Sequence, residues 1–185
     1  MAVSTPECPE FQPLSTPRLR LDLIPSRRAA EWFDLRNRSG AGRFHRWTPV
    51  DVLEVHWFLH SFSRNGKITP GEWKQLGIYL RENDTLIGDC GFRRESNGEA
   101  EIGYTLAPEF RRRGFAAEAV EALIDCLFTR LGIKRVTART IAENRPSLGL
   151  LEKLGFHLDK DAGETISLNG KETPVLMFYR DSNEI

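Results

Sequence analysis

No stretch of this sequence stays apolar for the roughly 18 residues that a helix needs to cross a bilayer, so a membrane-spanning chain is not expected. The opening residues MAVSTPECPEFQPLSTP lack a basic start followed by an apolar block and do not read as a secretion signal. Cysteine is scarce. Cys8, Cys90 and Cys126 are odd in number and far apart, which argues against a disulfide framework and a zinc cluster and fits a reducing, cytoplasmic setting. Cys90 falls in a strand-like run and Cys126 in a helical one, where a thiol serves as small apolar filler. His45, His56, His60 and His157 form no paired ligand pattern, so no metal is expected. A net charge of one sign is missing as well: 26 basic and 26 acidic side chains cancel, leaving no global pull towards nucleic acid or lipid. The tract Arg111-Arg112-Arg113 has no interleaved aromatic platform and makes too small a footprint for nucleic acid.

What is present suits one ordinary domain: 185 residues, 40% hydrophobic and 28% charged. Residues 1–17 carry Pro6, Pro9, Pro13 and Pro17 and are expected to be a flexible arm before a single domain at 18–181. Arg18 to Ile24 alternates, with Leu19, Leu21 and Leu23 on one side, as a half-buried strand does. Pro25 and Ser26 start a helix running to about Asn37, and a second helix is expected from about Val50 to Arg64. Residues 76–82, Thr85 to Arg93 and Glu99 to Leu106 read as an antiparallel meander with turns at Asn83-Asp84 and Asn97-Gly98. An amphipathic helix follows from Gly114 to Leu131. Then come a strand at Ile133 to Ile141 and a short helix from Pro146 to Leu154 ending at Gly155. Further strands lie around the Asn169-Gly170 turn. The expected fold class is α/β (α+β), a mixed, mostly antiparallel sheet of six to seven strands with helices on both faces.

The informative segment is Glu101 to Val120. A strand runs into Pro108, which cannot donate to a ladder, and RRRGFA then opens a helix. Gly114 allows a tight turn and a close backbone approach to a ligand. The first amides of the helix have no internal partner and carry partial positive charge, so a pyrophosphate there would meet several donors. The segment is not a Walker loop and lacks the glycines of a dinucleotide fingerprint. A solvated basic turn is the plain alternative.

Pro108 to Ala116 resembles the signature of the GCN5-related N-acetyltransferase (GNAT) family: arginine or glutamine, two residues, glycine, one residue, glycine or alanine. Asn144-Arg145-Pro146-Ser147, with Leu151-Glu152-Lys153-Leu154-Gly155-Phe156, is similar to the downstream block of that family. The opening Thr16 to Leu21 is similar to the branch of RimJ- and RimL-type ribosomal-protein N-terminal acetyltransferases. The resemblance implies the GNAT fold and acetyl-CoA as co-substrate. It implies that the backbone of Arg112 to Ala116, with Arg111, Arg112 and Arg113 adding charge, holds the pyrophosphate. It places Leu106 against pantetheine, on a strand splayed from Val136 to Thr140, and brings Asn144 near the cofactor. Phe115 and Ala116 belong to this cofactor-binding set.

Acyl transfer to an amine needs a proton acceptor for the amine, a donor for the oxyanion and a proton for the thiolate. Glu101 is the expected base, with Glu99 on the same strand face; an ion pair with an arginine is the alternative. Where many family members place a tyrosine, this sequence has Leu151. Ser147 lies one helical turn earlier on the same face; the resemblance to the RimL-like branch, with a serine near the sulfur, makes it the expected donor to the thiolate, the alternative being a helix cap. Tyr104 reads more readily as core, and His45, in the loop Arg43 to Trp47, as exposed. The expected function is acetyl transfer to a primary amine by direct attack. A protein N-terminus, such as that of a ribosomal protein, is the first acceptor and a small amine metabolite or antibiotic the second. A CoA-binding module without turnover is the competing class. Monomer and homodimer both stay open.

Overall fold

The computed structural model describes residues 9–40, 49–62, 66–168 and 170–184. Cys8, His45 with its loop Arg43 to Trp47, Arg64 and Asn169 lie outside the described residues. The chain forms β1 (Leu14–Ser15), β2 (Leu19–Leu23), α1 (Ala29–Ser39), α2 (Val52–Phe62), β3 (Trp73–Leu80), β4 (Leu86–Arg94), β5 (Glu99–Leu106), α3 (Phe115–Thr129), β6 (Arg135–Ile141), α4 (Arg145–Lys153), β7 (His157–Leu168) and β8 (Lys171–Asp181). One eight-stranded sheet has the order β1-β2-β3-β4-β5-β6-β8-β7. Its pairs are antiparallel except β5 with β6.

The hairpins form where turn chemistry allows. Asn83 and Asn97 each accept, through Oδ1, from the amide two residues on, at 3.1 Å. Asp84 has φ 58° and is clamped by the guanidinium groups of Arg20 and Arg28.

Helices cover both faces, as the apolar patterning requires. On one face α3 presents Ala119, Val120, Leu123, Ile124 and Leu127 to Leu19, Leu21, Leu76, Ile78, Phe92 and Ile102 of the sheet. On the other, Trp32 and Leu35 of α1 and Val55 and Leu59 of α2 cluster with Tyr79 and Leu86. Cys90 and Cys126 are free and buried, as filler should be. Among the described residues no helix is long and apolar enough to cross a membrane.

Two expectations need correction. The sheet has eight strands rather than six or seven, because Leu14–Ser15 pairs with Leu21 and Arg20. That pair lies within the segment expected to be a flexible arm. From residue 9 the arm is docked: Phe11 and Leu14 are buried in the α3-side core, and the Phe11 amide donates to Gly66 O. Two apolar side chains outweigh the proline signal here.

Candidate active site

Glycine and arginine shape the mouth of α3. Gly114 caps the helix at φ 82° and Arg112 precedes it at φ 58°, both in the left-handed region. This path turns a run of amides outward. Those of Arg112, Arg113, Gly114, Phe115, Ala116 and Ala117 donate to no acceptor among the described residues. Unpaired donors at a helix start are what an anionic diphosphate would satisfy, so the backbone fits that group.

The three arginines do different things. Arg112 is exposed and makes no hydrogen bond or ion pair among the described residues. Arg113 lies over the Phe115 ring at 5.1 Å, while its carbonyl accepts from Arg18 Nη1 at 3.1 Å. Arg111 turns inward: its Nε donates to Leu106 O at 3.1 Å and its Nη2 to Ser39 O at 2.6 Å. Its guanidinium ties the end of β5 to the end of α1 instead of adding a free charge to the cradle. Glu118, on the first turn of α3, binds Arg18 through both oxygens and accepts from Thr16 Oγ1. Partial burial alone would raise its pKa, yet these donors together hold the carboxyl below its usual range.

The parallel ladder between β5 and β6 is short. It runs from Glu99 opposite Arg135 to Ile102 opposite Ala138 and stops. Gly103 to Leu106 and Arg139 to Ile141 run on beyond the last pair, with their ladder edges unpaired towards each other. An extended chain bearing amide groups would find partners there. Leu106 sits beyond the last paired residue of β5.

A cavity of about 450 Å³ opens at this parting. Glu101, Gly103, Arg93 and Asp89 line it from the sheet, Arg36 and Phe58 from α1 and α2, and Glu164 and Ile166 from β7. Its floor is ordered by buried Asp89, which accepts from Trp32 Nε1 at 2.9 Å, Gln75 Nε2 at 2.8 Å and Arg36 Nη1 at 3.2 Å. Glu101 faces the cavity between two guanidinium groups, with Arg93 Nη2 at 2.9 Å and Arg139 Nε at 3.3 Å. The arginine partnership weighed from the sequence is therefore realised, while the carboxylate still lines the cavity.

Tyr104 and Ser147 meet at the parting. Their hydroxyl oxygens lie 2.9 Å apart, joining β5 to the first turn of α4. Ser147 does not cap its helix; Asn144 is the cap residue and makes no side-chain cap bond. The Asn144 carboxamide has no protein partner among the described residues, and its carbonyl accepts from the Ser147 amide at 3.0 Å. Leu151, at the position where a tyrosine was looked for, is fully buried in the core. Burial pushes Tyr104 up to about 12, with the bond to Ser147 pulling weakly the other way. Its phenol thus keeps its proton at neutral pH. On sequence alone Tyr104, on a strand between Ile102 and Leu106, reads as core. Only the parting of the strands turns it into a lining group.

Comparison with known proteins agrees with this geometry. Residues 18–157 match the family model of the acetyltransferase (GNAT) domain. The uncharacterized N-acetyltransferase p20 of Bacillus licheniformis is 39% identical over 151 residues, covering 70% of this chain and 85% of that protein. A structure of RimL, a ribosomal L7/L12 alpha-N-protein acetyltransferase in complex with coenzyme A, superposes with TM-score 0.77 at 19% identity, covering 92% of this chain and 98% of that one. The ribosomal-protein-S5-alanine acetyltransferase of Vibrio fischeri superposes with TM-score 0.75 at 18% identity, covering 94% and 98%. With the match spanning most of its length, the chain belongs to the GNAT acetyltransferase family and is an acetyl-CoA-dependent N-acetyltransferase.

Proposed function

We propose that this enzyme acetylates the N-terminal amine of a protein, a ribosomal protein being the first choice, by direct attack of the amine on the bound thioester. The observation that carries the mechanism is the parting of β5 and β6 after Ile102 and Ala138. One end of that gap points to the bare amides of α3, the middle to the Tyr104–Ser147 pair, and the far side to the Glu101 cavity.

Acetyl-CoA supplies the activated acyl group. Residues Arg112 to Ala116 hold its diphosphate through backbone amides, Asn144 stands beside the arm, and Leu106 offers a free strand edge. The cavity receives the amine. Glu101 is the carboxylate placed to take its proton, directly or through water, and Arg93 and Arg139 fix its direction. The Tyr104–Ser147 pair then donates a proton at the departing sulfur. A phenol that keeps its proton at neutral pH is suited to that task. The protein acceptor is favoured by the likeness to the two ribosomal-protein acetyltransferases.

The test is thiol release from acetyl-CoA with peptides of ribosomal-protein N-termini beside a panel of small amines. Turnover with peptides and not with amines supports the reading. Turnover with small amines alone reassigns the acceptor. Tight CoA binding without turnover for any amine would make the chain a binding module.

A further inference from the structure

The gap between β5 and β6 holds a buried polar group whose hydrogen bonding is unmet. Thr140 is 6% exposed, and its Oγ1 has no hydrogen-bond partner among the described residues. It lies two residues past Ala138, the last β6 residue paired with β5, just as Tyr104 lies two past Ile102. Alternation along a strand therefore sets Thr140 and Tyr104 on the same side of the sheet, on opposite lips of the gap. Both line the cavity. The other buried hydroxyls without partners, on Tyr79 and Thr105, do not line it.

The position is well fixed. On its far side the Thr140 backbone is registered against Leu176 of β8, and the β-branched side chain has few rotamers open to it. A valine would fill the same space without burying an unmet donor, which carries a free-energy cost. Folding alone gives no reason for a hydroxyl here; a ligand in the gap does.

We propose that Thr140 Oγ1 donates a hydrogen bond to the acyl carbonyl oxygen of the bound thioester. This rests on reading the gap as the acyl-CoA site. The Tyr104–Ser147 pair occupies the lip assigned to the sulfur. The carbonyl carbon is bonded to that sulfur, so its oxygen comes within reach of the facing lip. The same bond strengthens as the oxygen gains charge during attack.

Isothermal titration calorimetry with acetyl-CoA and with CoA, on wild type, Thr140→Val and Thr140→Ser, tests this, together with ligand-free thermal midpoints. Thr140→Val is expected to keep or raise the midpoint and to bind acetyl-CoA about five- to tenfold more weakly, with CoA affinity nearly unchanged. Thr140→Ser, which keeps the hydroxyl, should stay within about twofold of wild type for both. Unaltered acetyl-CoA affinity in Thr140→Val overturns the proposal. Equal weakening for CoA and acetyl-CoA also rejects it, moving the bond to the pantetheine arm. Wild type binding neither compound would instead sink the acyl-CoA reading of the gap itself.

Discussion

The Tyr104 hydroxyl and Ser147 Oγ stand 2.9 Å apart, bridging residues 43 positions distant in the chain. The pair puts a proton donor where β5 leaves β6, although Leu151 has replaced the tyrosine looked for on α4. Burial that holds Tyr104 near 12 keeps this donor charged with its proton through the working range.

Removing either hydroxyl should slow the chemical step and leave cofactor binding alone. Tyr104→Phe and Ser147→Ala are each expected to lower kcat by about a hundredfold, the low end of the range for lost general acid catalysis. The double variant should be little worse than the worse single one, because the two act as a unit. Steady-state kinetics checks this; fully additive losses would separate their roles.

Tyr104 also links stability to alkaline pH. Its folded pKa is raised above the ordinary value of about 10, so its contribution is complete below that value and fades as pH rises towards about 12. Tyr79, likewise raised to about 12 by burial, acts in the same window. Tyr104→Phe should therefore narrow the loss of thermal midpoint between pH 9 and pH 11 (roughly the range where an ordinary tyrosine ionises). An unchanged slope would contradict the burial argument.

Gly114→Val should abolish measurable CoA binding. A side chain at φ 82° is strained, and a Cβ there would meet Arg18 Nη2 at 3.3 Å. The branched side chain would also stand among the bare amides. Calorimetry reads the affinity and circular dichroism confirms folding; a folded variant with wild-type CoA affinity would remove the cradle from the mechanism.

Glu101→Gln is expected to lower kcat/KM for the amine by about a hundredfold or more, with CoA affinity nearly unchanged. The glutamine keeps the shape held by Arg93 and Arg139 but cannot accept a proton as carboxylate does. Wild-type rates across the pH profile would leave Glu101 as a purely structural ion-pair partner.

The clamp on Asp84 predicts an acid-side effect. Hydrogen bonding by Arg20, followed by the charge of Arg28, holds its carboxyl below the usual range. Such a group stabilises the fold above its unfolded pKa of about 3.9 and loses that contribution as pH falls through the lower folded value. Asp84→Asn, which tolerates the positive φ, should cost no more than about 1 kcal/mol at pH 7 for this exposed pair. The difference should shrink as pH falls below about 4 in thermal denaturation.

The sequence by itself determined the elements and the cradle, because both are local. Period-two alternation marks Leu19 to Leu23, Asn97-Gly98 marks a turn, and Gly114 before an amphipathic helix marks a mouth of free amides. Each rests on neighbours a few residues apart. Even the burial of Cys90 and Cys126 follows from the face each one occupies. The tertiary structure alone decided what Tyr104, Arg111, Glu101 and Thr140 face. Tyr104 looks like core in an alternating strand, and it lines the cavity, with Thr140 facing it, because the ladder ends at Ile102 and Ala138. Arg111 looks like a phosphate ligand until the end of α1 arrives to receive it. Glu101 gains its arginines from two other strands. Strand pattern records which face a residue takes, whereas the place where two strands stop pairing depends on every element packed around them.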